Sequence, residues 1–431
     1  MGTTRVLTGI TTSGTPHLGN YVGAIRPTVQ ASLRPGVESF LFLADYHSLI
    51  KIDEPARIQR STLEIAASWL AAGLDPERVT FYRQSDIAEI PELTWLLTCV
   101  TSKGLLTRAH AYKAALDKNL AASVDPDTDV SAGLFMYPVL MGADILMFNA
   151  HQVPVGRDQV QHIEMARDMA SSFNHRYGVH FELPQAVVED SVALLPGLDG
   201  RKMSKSYDNA IPLFASHAQL QKLFNGIVTD SRPPGEPKQT EGSALFQIYQ
   251  AFASTDESAE LAKAYRAGIS WADAKQLLVE RVEREVAPMR ESYQALIDDP
   301  GRIEDILARG AAKARALAAP FMARLRHAVG LRDLRTLAEA PRQRDARVAA
   351  PSFKQYRASD GMFHFKLVEP RGRVLLQSLG YASPRAAGDA IRRLRADAAA
   401  ALGGMREQLE FQPGISDHEI AQALKQMTSA S

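Results

Sequence analysis

Apolar positions in the first hundred residues alternate between two periods. Residues 3–11 read as a strand that opens into the turn-rich SGTPHLG. Residues 19–33 then carry helical spacing, with Tyr21, Ile25 and Val29 on one stripe. Residues 39–46 (SFLFLADY) form an unbroken apolar run, the pattern of a parallel strand covered on both faces. Residues 55–72 read as a helix with proline in its first turn, 79–84 as a third strand and 89–99 as a helix. This alternation predicts an α/β fold with a Rossmann-like, doubly wound parallel sheet.

Further along, 103–176 is mostly helical, broken by the polar SVDPDTDVS, and reads as a helical insertion within a first domain of 1–211. A strand-like piece, GVHFELPQAVVE, leads to the Gly/Pro loop PGLDG. Strands are scarce from 212 to 331, which predicts a second, helical domain, and 332–352 reads as a linker. Residues 353–403 then change character. Alternating apolar positions around SDG and PRG predict an antiparallel meander, followed by a helix capped by Ser383 with Pro384 at its first position. That makes a small α+β domain, and the polar 404–431 is expected to be a loose tail. No internal repeat and no Walker A loop is present.

Composition narrows the function classes. With 45% hydrophobic and 23% charged residues in a chain of 431, collagen-like and disordered chains are excluded. No apolar run reaches the roughly 18 residues of a membrane span, and the N-terminus lacks a signal-peptide core, so a cytoplasmic location without a membrane partner is expected. The single cysteine, Cys99, leaves no intramolecular disulfide and no Cys-rich metal site, and no protein-held structural metal is expected. Net charge is zero, yet residues 310–403 carry 18 Lys/Arg against 7 Asp/Glu, and 1–309 carry 29 against 38. A basic end on an acidic body fits either a polyanion partner or a solvated Arg-rich helical face.

Two short loops suggest phosphate chemistry. The strand-to-helix junction Thr12-Ser13-Gly14-Thr15-Pro16-His17-Leu18-Gly19-Asn20 aims backbone N–H groups outward, with His17 and Asn20 adding side-chain donors. The second loop, Gly200-Arg201-Lys202-Met203-Ser204-Lys205-Ser206, alternates lysine and serine, and lysines are point charges suited to a pyrophosphate. Each also reads as ordinary structure. Together, PHLGN followed about 185 residues later by KMSKS resembles the paired signatures of class I aminoacyl-tRNA synthetases. KMSKS is a literal match, and PHLGN is a variant of the family's HIGH sequence.

Asp144 is the only charge in the apolar stretch YPVLMGADILMF. Tyr137, Met141 and Asp144 share one helix face at i, i+4 and i+7. An aromatic ring, a thioether and one acceptor suit a flat apolar ligand bearing a single N–H, such as indole. Asp144 could equally hold a helix cap or an arginine. The segments GNYVGAI (19–25), SAGLFMYPVLMGADILMFNA (131–150), VPVGRDQVQHIEMARDMA (153–170) and RKMSKSYDN (201–209) are similar to the bacterial tryptophanyl-tRNA synthetases, in one order over about 1–332.

That resemblance implies ATP-dependent activation of tryptophan to tryptophanyl-adenylate, then transfer to tRNA(Trp). It implies that Asp144 accepts the indole N–H, that Met141, Val153, Val155 and Leu7 line the pocket, that Tyr137 and Gln159 bind the α-ammonium group, and that His47 lies near the substrate. Thr11, Thr12, Ser13, Gly19 and Asn20 should meet ATP on one side. Gly156, Arg157 and Asp158 should meet the ribose, and Leu194 or Leu195 the adenine. Lys113, Lys202 and Lys205 should neutralise the phosphates with Mg²⁺ accompanying ATP, and Met203, Ser204 and Ser206 belong to the same loop. The resemblance also implies that 212–331 binds the anticodon and that the protein is a homodimer with tRNA crossing between subunits.

Departures are Thr11-Thr12 where many relatives have Gln-Pro, Leu7 for Phe, and His17-Leu18 for Thr-Ile. His17 is expected to donate to phosphate in place of threonine. Residues 353–401 lie past the usual end of the bacterial enzyme and resemble a small YegP-like domain of unknown function, where Arg392, Arg393 and Arg395 offer either a tRNA clamp or a solvated face. A tyrosine-specific relative, a nucleotidyltransferase without tRNA charging and a non-catalytic RNA-binding paralogue are the alternatives.

Overall fold

The computed structural model describes residues 3–12, 14–188, 195–204, 207–331, 334, 351–370, 372–396 and 398–429. The chain divides into two compact units, Met1–Arg332 and Asp333–Ser431.

The first unit is built on a five-stranded sheet of β1 (Thr4–Thr11), β2 (Val37–Ala44), β3 (Thr80–Arg83), β4 (Gln152–Pro154) and β5 (Gln185–Val187). All neighbours are parallel, in the order β3-β2-β1-β4-β5. The order reverses beside β1, and an open crevice forms at such a switch point beyond the strands' carboxyl ends. The unbroken apolar run of β2 has a simple cause. Phe40, Phe42 and Ala44 face one core, and Leu41 and Leu43 face another across the sheet. Each side of the strand is buried, so alternation of apolar with polar positions is lost.

The helices after 212 belong to these same cores. Trp271–Asp298 contributes Leu278, Val279, Val282 and Val286 to the core beneath Leu41, and Pro300–Ala328 contributes Ala314, Phe321 and Leu325 to the core beneath Phe40. Gly310 is where the latter helix meets β3: a Cβ there would lie 1.6 Å from the Phe81 carbonyl oxygen, so only glycine permits the approach.

Two local expectations are corrected. The helix expected over 19–33 starts at Leu18 and widens into a π-turn at Tyr21–Ile25 before continuing as Arg26–Ser32. Pro27 accounts for the widening, because it has no N–H for the Gly23 carbonyl and its ring crowds that turn. The stretch 103–176, expected to be mostly helical, is so and also supplies β4, a strand too short for its period to register.

The second unit is an antiparallel sheet of β6 (Ser352–Arg357), β7 (Phe363–Val368), β8 (Val374–Ser378) and β9 (Leu409–Phe411), with helices at Pro384–Ala396, Ala398–Gly404 and Asp417–Ser429. The loose tail expected over 404–431 is therefore corrected. β9 pairs with β8, and the last helix buries Ile420, Ala423, Leu424 and Met427. Those apolar positions recur at i, i+3, i+4 and i+7, a stripe masked by the polar composition around it. The 332–352 linker lies almost wholly outside the described residues.

Candidate functional site

A cavity of about 730 Å³ opens at the switch point between β1 and β4. It collects residues that the sequence scatters over 150 positions: Leu7 and Thr11 from β1, His47 after β2, Tyr137, Met141 and Asp144 from the helix Ala132–Met147, Val153 and Val155 from the β4 segment, then Gly156 and Gln159. Every residue assigned above to the indole and ammonium contacts lines this one space.

Asp144 is fully buried. Its Oδ2 is 3.0 Å from His47 Nε2, and Gln84 Nε2 donates to both its oxygens at 2.8 and 2.9 Å. Burial pushes its pKa above the ordinary carboxylate value, against the bonds from His47 and Gln84. The Tyr137 hydroxyl lies 2.5 Å from Nε2 of the buried His162. Burial first, and then nearby His110, lower the His162 pKa and favour the neutral ring. The Gln159 amide donates to Asp158 Oδ2 at 2.8 Å, and its backbone N–H donates to the Gly156 carbonyl at 2.9 Å.

At the other end, His17 caps the helix that starts at Leu18. Its Nδ1 accepts the Asn20 N–H at 3.2 Å, while Asn20 Oδ1 accepts the His17 N–H at 3.1 Å. In a neutral ring, an accepting Nδ1 places the proton on Nε2 and makes that edge a donor. The His17 turn meets the lysine loop at Met203 and the segment just after that loop. Leu18 N–H donates to the Ile211 carbonyl at 2.9 Å, Leu213 N–H to the Pro16 carbonyl at 3.1 Å, and a Cβ on Gly19 would stand 3.6 Å from Met203 Cβ.

The lysine loop is organised by a buried amide. Asn209 Oδ1 accepts the Ser204 N–H at 2.8 Å, and its Nδ2 donates to Asp199 at 2.7 Å and to the Lys202 carbonyl at 3.1 Å. That Asn209 bond, with Arg201 alongside, holds the Asp199 carboxyl below its ordinary pKa. A Cβ on Gly197 would lie 2.4 Å from Asn209 Cγ, so the loop closes only over glycine. Leu195 and Met203 are buried, and the Met203 N–H donates to the Leu195 carbonyl at 2.9 Å. Lys202 is exposed, as are Arg157 and Asp158. Lys113 is exposed on the helix His110–Ala121, two positions from Ala111, which lines the cavity.

Thr12 is fully buried, with its hydroxyl 2.7 Å from that of Ser48, which lines the cavity. Ser13, Leu194, Lys205 and Ser206 lie outside the described residues. Sequence reasoning missed Gln84, His162 and Asn209. His162 and Asn209 sit inside the segments that carried the resemblance, whereas Gln84 lies in no motif and is identified only by what its amide touches. Among the described residues, no group of three His, Cys, Asp or Glu side chains could hold a metal ion, and no helix is long and apolar enough to cross a membrane.

A switch-point crevice with a buried acid at its wall, and a His-containing turn that meets a lysine loop at Gly19 and Met203, fits the site of an adenylate-forming synthetase. Residues 1–287 match the family model described as tRNA synthetases class I (W and Y), and 358–402 match a domain of unknown function (DUF1508). The chain is 63% identical over 414 residues to a tryptophan–tRNA ligase of Xanthomonas axonopodis pv. citri, covering 95% of this chain and 96% of that one. It is 59% identical over 406 residues to one of Pseudomonas aeruginosa, covering 93% of this chain and 90% of the relative. A tryptophanyl-tRNA synthetase from Campylobacter jejuni, solved with ADP and tryptophan, superposes with a TM-score of 0.69 at 41% identity, covering 76% of this chain and all of that one. The chain belongs to the class I aminoacyl-tRNA synthetases, in their tryptophan–tRNA ligase branch.

Proposed function

We propose that this chain binds the indole of tryptophan against Asp144 and lays ATP between the His17 turn and the lysine loop. The activity is that of a tryptophan–tRNA ligase: L-tryptophan and ATP form tryptophanyl-adenylate and pyrophosphate, and the aminoacyl group passes to tRNA(Trp). A tryptophan carboxylate oxygen attacks the α-phosphorus, the bond to the β-phosphate bridging oxygen breaks, and negative charge grows on the departing pyrophosphate. No covalent enzyme intermediate is needed, so positioning and charge stabilisation carry the rate.

Asp144 takes the indole N–H, and Leu7, Met141, Val153 and Val155 flank the ring. Tyr137 and Gln159 receive the α-ammonium group. The His17 Nε2–H and Asn20 amide serve the phosphates, as do Lys113, Lys202 and Lys205. Gly156 and Asp158 serve the ribose. Mg²⁺ travels with the triphosphate as part of the substrate. Residues 212–331 bind unpaired anticodon bases, as sequence-specific RNA recognition commonly requires. The working form is a cytoplasmic homodimer.

The single observation that carries this reading is Asp144, buried at the cavity wall with only hydrogen-bond donors from the protein against it. Such a carboxylate is satisfied by a further donor and rejects ligands that lack one. ATP–pyrophosphate exchange with tryptophan, tyrosine and phenylalanine tests it. Exchange with tryptophan alone is expected, and comparable exchange with tyrosine would remove the assignment.

A further inference from the structure

Gln84 is fully buried on the 3₁₀ turn Gln84–Asp86 that follows β3. An amide side chain can point either way, and here the backbone decides. Tyr46 N–H donates to Gln84 Oε1 at 3.1 Å, which leaves Nε2 as the end that faces Asp144. From there it bridges both carboxylate oxygens at 2.8 and 2.9 Å. The turn is itself tied down, because Asp45 accepts the Ser85 N–H at 3.0 Å and the Ser85 hydroxyl as well. The ends of β2 and β3 are thereby linked, and Asp144 on a separate helix is gripped by both through His47 and Gln84.

We infer that Gln84 is a positioning residue for amino-acid choice: its amide holds Asp144 as an ionised acceptor in one rotamer, leaving outer lone pairs for the ring N–H of the substrate. This rests on the reading of Asp144 given above. An ionised carboxylate only accepts, whereas a protonated one carries an O–H that competes for the same direction. Two bonds from one amide also stop the carboxylate from rotating about its last torsion, a loosely defined angle in an unconstrained aspartate. Removing the amide leaves room for rotation and removes a donor that favours the charged form.

The test compares tryptophan with β-(3-benzothienyl)alanine, the same shape with sulfur in place of the N–H, by ATP–pyrophosphate exchange on the full chain. Gln84→Met keeps the volume and loses the donor. The expected result is a fall of about tenfold or more in the preference for tryptophan over the analogue, carried by the KM for tryptophan and not by kcat. Exchange with the analogue should stay within about threefold of wild type, and this doubles as the check that the variant folds. If Gln84→Met does not fold, Gln84→Leu, which also fills the space without a donor, takes its place with the same expectation. Asp144→Asn is measured alongside. If Asp144→Asn keeps the wild-type preference, the reading of Asp144 fails. If Asp144→Asn loses the preference while the Gln84 variants keep it, only the role of Gln84 is overturned. A drop in kcat equal for both amino acids would show a structural role and overturn it too.

Discussion

Around Asp144 the cavity is built from side chains, whereas the described residues of the loop 195–209 are held largely through backbone groups. Asp144 and Gln84 are buried and bonded to each other, and buried His162 is bonded to Tyr137, in each case through side-chain atoms. In the loop, buried Asn209 ties a backbone N–H and a carbonyl together, Gly197 yields space, and Lys202 stands in solvent. The difference fits the tasks proposed above for the two ends. Choosing one amino acid requires a dry, pre-aligned acceptor whose unmade bond is costly. Stabilising a triphosphate requires charges that reach it as it reacts, and long lysines on a loop supply them.

The sharpest way to break this comparison is Asp144→Ala. It is expected to lower kcat/KM for tryptophan by about 10³-fold or more, because it removes the acceptor and leaves the Gln84 amide buried with an unpaired donor. Exchange kinetics measure it. Next comes Gly197→Ala, whose methyl group collides with Asn209. Activation should slow about 10–100-fold while tryptophan binding, followed by equilibrium dialysis, changes less than about twofold. The reverse pattern would mean that the two ends are not separable.

A smaller effect comes from acid. Because burial raises the Asp144 pKa, this group protonates at a higher pH than a surface aspartate. The KM for tryptophan should therefore rise several-fold on the acid side while the KM for ATP holds. The linkage has the opposite sign for folding. With the folded pKa above the unfolded one, uptake of this proton favours the native state as pH falls, and its stabilisation is lost as pH rises through the folded pKa. Weaker tryptophan binding in acid should thus appear without a drop in melting temperature traceable to Asp144. The smallest expected effect is on activation after truncation at 332: exchange within about twofold of the full chain, since every residue of the cavity lies in the first unit. A tRNA role for 333–431 would show as a higher KM for tRNA with a shallower salt slope in the truncated form.

Much of the fold was legible because its signals are local. The β2 run, the capped helices and the proline and glycine punctuation follow from nearest neighbours along the chain. The last helix escaped notice because its apolar stripe of Ile420, Ala423, Leu424 and Met427 lies in a polar segment. β4 escaped because three residues carry no readable period.

Resemblance of short segments to a known family was enough for the class of enzyme, and the lone acid in an apolar helix was visible in the chain itself. Whether Asp144 would face a ligand or a cap could not be read there, since a buried carboxylate has the same neighbours in sequence either way. Folding set its protein partners, His47 and Gln84 at the cavity wall, by bringing together the ends of two strands and a distant helix. It also paired the Thr12 hydroxyl with that of Ser48 and brought Gln84, a residue in no motif, against the acid. Hydrogen-bond partners remote in sequence have no periodicity to announce them, because their pairing is set by distance in space.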